Sequence, residues 1–257
     1  LIYMDENLKK YDNDGYVVLP NVLSKDNISS IYNQIESLID EVILRNRIDV
    51  ESFFNLDEKY FALKEQNPDI KSHFYNMTRY LDSLLSSSSS SRIINHAKKL
   101  LLSDTILSEG PQIRIDDTSN DRLVPFHQEL SQISIKNVTL WIPLIDINGD
   151  TGGINIIPKS HKDGYAPHEF YKEYHNYYCI KKDYPIDNSK AIKVRANAGD
   201  AIAFDGASIH GSLPNKTNKI RWVLIIRYSS LKGVPYLSDV NATLRIPYDA
   251  NYNNFFK

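Results

Sequence analysis

Val138-Thr139-Leu140-Trp141-Ile142-Pro143-Leu144-Ile145-Asp146-Ile147, followed at once by Asn148-Gly149-Asp150 and Gly152-Gly153, is the stretch on which the fold turns. β-Branched and aromatic residues closed by a cluster of turn formers describe a strand running into a tight turn. The same grammar recurs downstream. Ile154 to Ile157 stops at Pro158, Ala191 to Val194 and Ala201 to Phe204 are separated by Asn197 and Gly199-Asp200, and Ile220 to Tyr228 follows Pro214-Asn215. Short strands punctuated in this way predict an antiparallel sandwich or barrel.

Upstream the period is helical. Asp14-Gly15 introduces a short strand, Tyr16 to Leu19, which Pro20 ends. Ser24 then reads as a helix N-cap with Asp26 in the first turn, where the backbone dipole favours a negative charge. Ile28, Ile31, Ile35, Leu38, Ile39 and Val42 form one apolar stripe at helical spacing. Further helices are expected from about Ile70 to Leu85 and from about Ile93 to Leu102. The serine run Ser86 to Ser91 between them is expected to be a solvated connector, because serine homopolymer neither packs nor favours helix. Helices outside a barrel would account for the first third of the chain, giving an α+β, mainly β class.

At 257 residues the chain suits one domain, spanning 1–257, with a substantial core. Its expected divisions are a helix-rich part over 1–105, a β core over about 106–247 and a tail over 248–257. Thirty basic and 32 acidic side chains leave a net charge of -2, which argues against nucleic acid or an anionic membrane as partner and for a small-molecule task. Oligomeric state is not legible. Cys179 is the single cysteine, so no internal disulfide forms, and a reducing compartment is expected. Leu1 to Glu6 carry no basic segment followed by an apolar one, and no apolar run reaches membrane-spanning length. The expectation is a soluble cytoplasmic protein.

The chemistry centres on four residues. In a strand, residues i and i+2 share a side, so His127 and Glu129 are expected to project together with Gln128 facing away. His210 is placed just past the strand Ala201 to Phe204, at the mouth of a hairpin. Arg221, 11 residues later, is placed on the return strand and shares a face with Val223 and Ile225. Two imidazoles and a carboxylate can fill one face of a six-coordinate iron(II), leaving positions for a chelating cosubstrate and oxygen. A guanidinium among aliphatic side chains needs an anion, and a carboxylate on two parallel hydrogen bonds suits it. Each residue also has a plainer reading: a lone histidine at a strand end is more often structural, and Arg221 can pair with Asp205 or another acid. His73, His96, His161, His168 and His175 are read as structural or solvent-exposed.

Taken as a series, these residues resemble the phytanoyl-CoA dioxygenase family of iron(II)/2-oxoglutarate oxygenases. Asp14-Gly15-Tyr16-Val17-Val18 with Asn21-Val22-Leu23-Ser24 is similar to that family's first strand and helix entry. Pro125-Phe126-His127-Gln128-Glu129 resembles its iron-binding His-x-Asp segment. Val138 to Leu144, Gly152-Gly153 and Ile157-Pro158-Lys159-Ser160-His161 match its most distinctive signature, and Gly199-Asp200, His210-Gly211-Ser212 and Arg221 complete the set. The resemblance implies a double-stranded β-helix, that is, a cupin-like jelly roll, with the N-terminal helices packed outside the barrel. It implies iron(II) on His127, Glu129 and His210, 2-oxoglutarate held by Arg221 with Ser212 nearby, and O2 as co-reactant. It further implies that Gln112, Arg114, Thr139 and Trp141 line the cosubstrate and substrate pocket, although Trp141 fits a core position equally well.

Glu129 departs from the family's usual aspartate. The extra methylene moves the carboxylate outward by roughly 1.5 Å along an extended chain, so the side chain must fold back or the backbone sit deeper. A retained acid argues against halogenation. The implied activity is hydroxylation of an unactivated C–H bond of a small molecule, with release of succinate and CO2. The alternatives are a catalytically silent ligand-binding barrel, or a metal enzyme of the same fold that does not use 2-oxoglutarate. The connection Ser160 to Lys190, rich in tyrosine, is a candidate for substrate recognition or a mere anchor for the insertion.

Overall fold

The computed structural model describes residues 5–48, 55–66, 68–119, 123–131, 135–172 and 177–232. His175 and the tail over 248–257 lie outside these residues.

Two helices frame the first strand. α1 (Glu6–Asp14) ends on Gly15, whose φ of 80° lets its N–H reach back to the Tyr11 carbonyl, and β1 (Tyr16–Leu19) follows. α2 (Lys25–Arg45) starts at Ser24 in a reciprocal capping box with Asn27 and buries Ile31, Ile35 and Ile39 completely. α3 (Leu56–Gln66), α4 (Pro68–Thr78), α5 (Asp82–Ser88) and α6 (Ser91–Leu101) continue the helical half.

The serine run differs from expectation. Ser86 to Ser88 belong to α5, Ser91 opens α6, and Ser87 and Ser88 are buried. Their hydroxyls donate to carbonyls one turn back, Ser87 to Ser83 and Ser88 to Leu85, which satisfies them inside the helix. Small side chains at this site let the helix sit against β2, and the Tyr228 hydroxyl of β10 donates to the Ser88 carbonyl. The single helix expected from Ile70 to Leu85 is two, broken between Thr78 and Asp82.

The β half comprises β2 (Leu107–Asp116), β3 (Asn137–Pro143), β4 (Gly153–Ile156), β5 (His168–Tyr171), β6 (Tyr177–Ile180), β7 (Ile192–Lys193), β8 (Ala201–Asp205), β9 (His210–Leu213) and β10 (Arg221–Ser229). A five-stranded antiparallel sheet runs β1-β8-β3-β10-β2, a three-stranded one runs β7-β4-β9, and β5 pairs with β6.

Strand alternation sorts two cores. Val17, Ile113, Leu140, Ala203, Trp222 and Leu224 face the helices and pack on Ile31, Ile35, Tyr60 and Leu84. Trp141, Ile202, Phe204, Val223 and Ile225 point the other way and meet Ile154 and Ile156 of the small sheet. Trp141 is thus a member of the inter-sheet core. The interior between the sheets is where the polar residues of β2, β9 and β10 also collect. No helix among the described residues is long and apolar enough to cross a membrane.

Candidate metal centre

His127 and His210 meet as an isolated antiparallel bridge, exchanging backbone bonds of 2.9 and 3.1 Å. His210 lies past β8, as expected, and opens β9. After His127 the chain leaves the bridge and enters a 3-10 turn, Glu129–Ser131, so Glu129 is not on a continuing strand. The turn is tied by Leu130 N–H to the Gly206 carbonyl at 3.1 Å. Gln128 does face away, as expected. Its amide donates to the Gly164 and Ala207 carbonyls and accepts from Ala166 N–H, a fully buried strut fixing the turn.

Both imidazoles are oriented by carbonyls. His127 Nδ1 lies 2.8 Å from the Pro125 carbonyl and His210 Nδ1 3.0 Å from that of Ser208. A carbonyl only accepts, so each Nδ1 carries a hydrogen and Nε2 is the ring atom left to face a ligand. The ring centroids are 4.2 Å apart, and His210 Nε2 is 3.6 Å from Glu129 Oε1. One donor atom from each of the three residues lies within 4.8 Å of the others, and all three residues are buried.

Electrostatics prepares the donors. Burial, with His210 beside it, holds His127 well below the usual histidine range, so the ring stays neutral. Burial alone would push Glu129 up. The Arg227 guanidinium outweighs it and holds the carboxyl well below its usual range. A neutral imidazole beside an ionised carboxylate is the protonation state a divalent cation requires. Two nitrogens and one oxygen on one side of a polar interior fit a two-histidine, one-carboxylate centre for iron(II).

Arg227, on β10, was not singled out from the sequence. Its Nε and Nη2 grip Glu129 Oε2 and Oε1 at 2.8 and 3.1 Å, and its Nη1 reaches Gln112 Oε1 at 3.4 Å. The signal was present in the alternation, since Arg221, Val223, Ile225 and Arg227 share one face.

Arg221 is 1% exposed and already committed to its own chain. Nη2 and Nε donate to Asp116 Oδ2 at 2.8 and 3.2 Å, and Nη1 donates to the Thr151 and Leu213 carbonyls at 2.7 and 3.1 Å. Four of its five donor hydrogens are used. Asp116 is the other acid that the plainer reading of Arg221 left open. The same carboxylate accepts Arg114 Nε at 2.9 and 2.8 Å, and Arg114 Nη2 donates to Ser212 Oγ at 3.1 Å. Burial opposes the charge on Asp116, and the two guanidinium groups overcome it, leaving its pKa lowered.

Thr139 faces Arg227 across β3 and β10, with a buried hydroxyl that has no hydrogen-bond partner among the described residues. Gln112, Arg114, Ser212 and Thr139 are therefore brought to the same interior as His127, Glu129 and His210. Tyr177, on β6 of the tyrosine-rich connection, stands edge-on to His127 at 5.1 Å between ring centroids. His168 is structural: its Nε2 accepts from Gln128 N–H at 3.1 Å, and its Nδ1 lies 2.7 Å from the Ala166 carbonyl.

The family model for phytanoyl-CoA dioxygenase (PhyH) matches residues 11–223, and the chain belongs to that family. Ectoine dioxygenase of Nocardia farcinica is 23% identical, covering 89% of this chain and 78% of its own length. Among solved structures, the apo non-heme monooxygenase ThoJ superposes with a TM-score of 0.64 at 17% identity, covering 87% of this chain and 76% of its own. The epimerase SnoN, solved with Fe3+, alpha-ketoglutarate and nogalamycin RO, gives a TM-score of 0.60 at 14% identity over 96% of this chain and 91% of its own.

Proposed function

We propose that the chain is an iron(II)- and 2-oxoglutarate-dependent oxygenase that hydroxylates a C–H bond of a small molecule, on one domain whose two main sheets are the halves of a double-stranded β-helix. The observation that carries this reading is the convergence of His127, Glu129 and His210, with both imidazole Nε2 atoms kept available and the carboxylate kept ionised.

His127, Glu129 and His210 would hold the metal. When bound, it supplies activation of O2, coupled to oxidative decarboxylation of 2-oxoglutarate to succinate and CO2. The chain's residues supply position, charge and dryness. Arg221, Arg114 and Ser212 receive the far carboxylate of the cosubstrate. Because Asp116 occupies the Nε–Nη2 edge of Arg221, that carboxylate enters from the Arg114 and Ser212 side. Gln112 and Thr139 present polar atoms on the same face, and the Trp141 cluster keeps the floor free of water. Tyr177 and Arg114 form the wall against which a substrate would lie, an aromatic face beside a cation, which suits a partly polar molecule.

Anaerobic titration with iron(II) and 2-oxoglutarate tests the proposal. A visible charge-transfer absorbance that is lost in His210→Ala and Glu129→Ala is expected. Its absence from the parent protein would leave the silent-barrel reading standing instead.

A further inference from the structure

Glu129 does more than stand where the family's sequences carry aspartate. Its two oxygens are not equivalent. Oε1 faces the imidazoles, 3.6 Å from His210 Nε2, while Oε2 is turned into the guanidinium, 2.8 Å from Arg227 Nε. Glu129 is buried and Arg227 half-buried, with side chains 3% and 16% exposed. Gln112 Oε1 touches the remaining corner of the guanidinium, and β10 fixes its backbone opposite Thr139. A glutamate carried on a turn has the reach and freedom to chelate a cation through both oxygens. That mode would use a coordination position that a chelating cosubstrate and O2 must share.

Resting on the metal-site reading above, we propose that Arg227 is a positioning residue that reserves Oε2 of Glu129, so that the carboxylate offers a cation Oε1 alone. The fork supplies two parallel charge-assisted hydrogen bonds, which define both the place and the plane of the carboxylate. A carboxylate oxygen has two lone pairs, so Oε1 can keep its longer 3.1 Å bond to Nη2 and still face the imidazoles. The arrangement has a cost in affinity, because a fixed positive charge close to the site repels a cation in a poorly screened interior. The site therefore holds metal less tightly in exchange for an open position.

Cobalt(II), added alone under anaerobic conditions, is the probe. Arg227→Gln removes the charge and the fork, and Arg227→Lys keeps the charge. Cobalt(II) affinity is expected to rise about tenfold in the Gln variant and to stay near the parent value in the Lys variant. The charge-transfer absorbance with iron(II) and 2-oxoglutarate is expected to weaken in the Gln variant despite its tighter metal. Equal or weaker cobalt(II) binding by Arg227→Gln overturns the inference while leaving the metal site intact. A parent protein that takes up no cobalt(II) overturns the metal-site reading and this inference together.

A measurement on the parent protein needs no variant to fold. Carboxylate-labelled glutamate, followed by infrared difference spectroscopy as zinc(II) is added, distinguishes the modes. A wider separation of the asymmetric and symmetric stretches supports one-oxygen ligation, and a narrower one, the mark of chelation, overturns the proposal.

Discussion

Asp116 on β2 and Arg221 on β10 occupy facing register positions of two hydrogen-bonded strands, with Oδ2 2.8 Å from Nη2 and 3.2 Å from Nε. The guanidinium proposed to meet the cosubstrate is thus matched by an internal anion, which Arg114 shares. Two consequences separate cleanly, one for stability and one for binding.

Arg221→Ala removes the donors of two carbonyls and one of the two cations on a buried carboxylate. Breaking a buried pair from one side costs about 3–5 kcal/mol, so a loss of that size is expected in urea denaturation. A loss under about 1 kcal/mol would mean that the pair behaves like an exposed one.

Asp116→Asn keeps the shape and removes the competing charge. The neutral amide leaves Arg221 and Arg114 to an incoming carboxylate, so 2-oxoglutarate is expected to bind several-fold more tightly, at a cost in stability. Weaker binding, read by titration in the presence of iron(II), would show that Asp116 aligns the arginines rather than opposing the cosubstrate.

Stability of the metal-free protein is expected to fall in two stages on acidification. Burial holds His127 well below its usual value and brings His168 down to about 4. Unfolded histidine takes up its proton near about 6.5, so the unfolded state binds more protons below that pH. The contribution of these rings is complete above it and drains away as the pH falls, for His168 until about 4. Glu129 and Asp116, held below their usual range by the arginines, add a second loss below about 4.3, through their lower folded values. Urea midpoints measured in chelator from pH 7.5 downward check the first stage; a flat profile between pH 7 and 5 contradicts it.

Gly152 has a φ of 73°, and a Cβ there would lie 2.3 Å from the Pro214 carbonyl oxygen and 2.6 Å from Arg221 Nη1. Gly152→Ala therefore strains the backbone and displaces the guanidinium from the Thr151 and Leu213 carbonyls. A destabilisation of at least about 2 kcal/mol is expected in urea denaturation, together with weaker 2-oxoglutarate binding. Wild-type values for both would show that the loop relaxes freely.

Much of the β half was legible because strands announce themselves locally. Val138 to Ile147 and Ala201 to Phe204 overlap β3 and β8, and Ile220 to Tyr228 overlaps β10, since β-branched runs between turn formers have few other stable conformations. α1 and α3 went unread, as did the helical state of Ser86 to Ser88. Serine's preference against helix is small, and packing against β2 and α2 overrides it. Glu129 lies beside the histidines for a reason other than the expected one: the spacing predicts same-side projection along a strand, whereas a 3-10 turn and the grip of Arg227 bring it there.

By itself, the sequence determined the mainly β class, the family, and which three residues to propose as donors, because these depend on residue type and on spacing along the chain. Which cation meets which carboxylate was decided only in three dimensions. Five charged side chains, Arg114, Asp116, Glu129, Arg221 and Arg227, share one interior, and Coulomb energy there changes steeply over a few ångströms. The pairing of Arg221 with Asp116 and of Arg227 with Glu129 follows from the β2–β10 register and the placement of one turn, neither of which any single segment encodes.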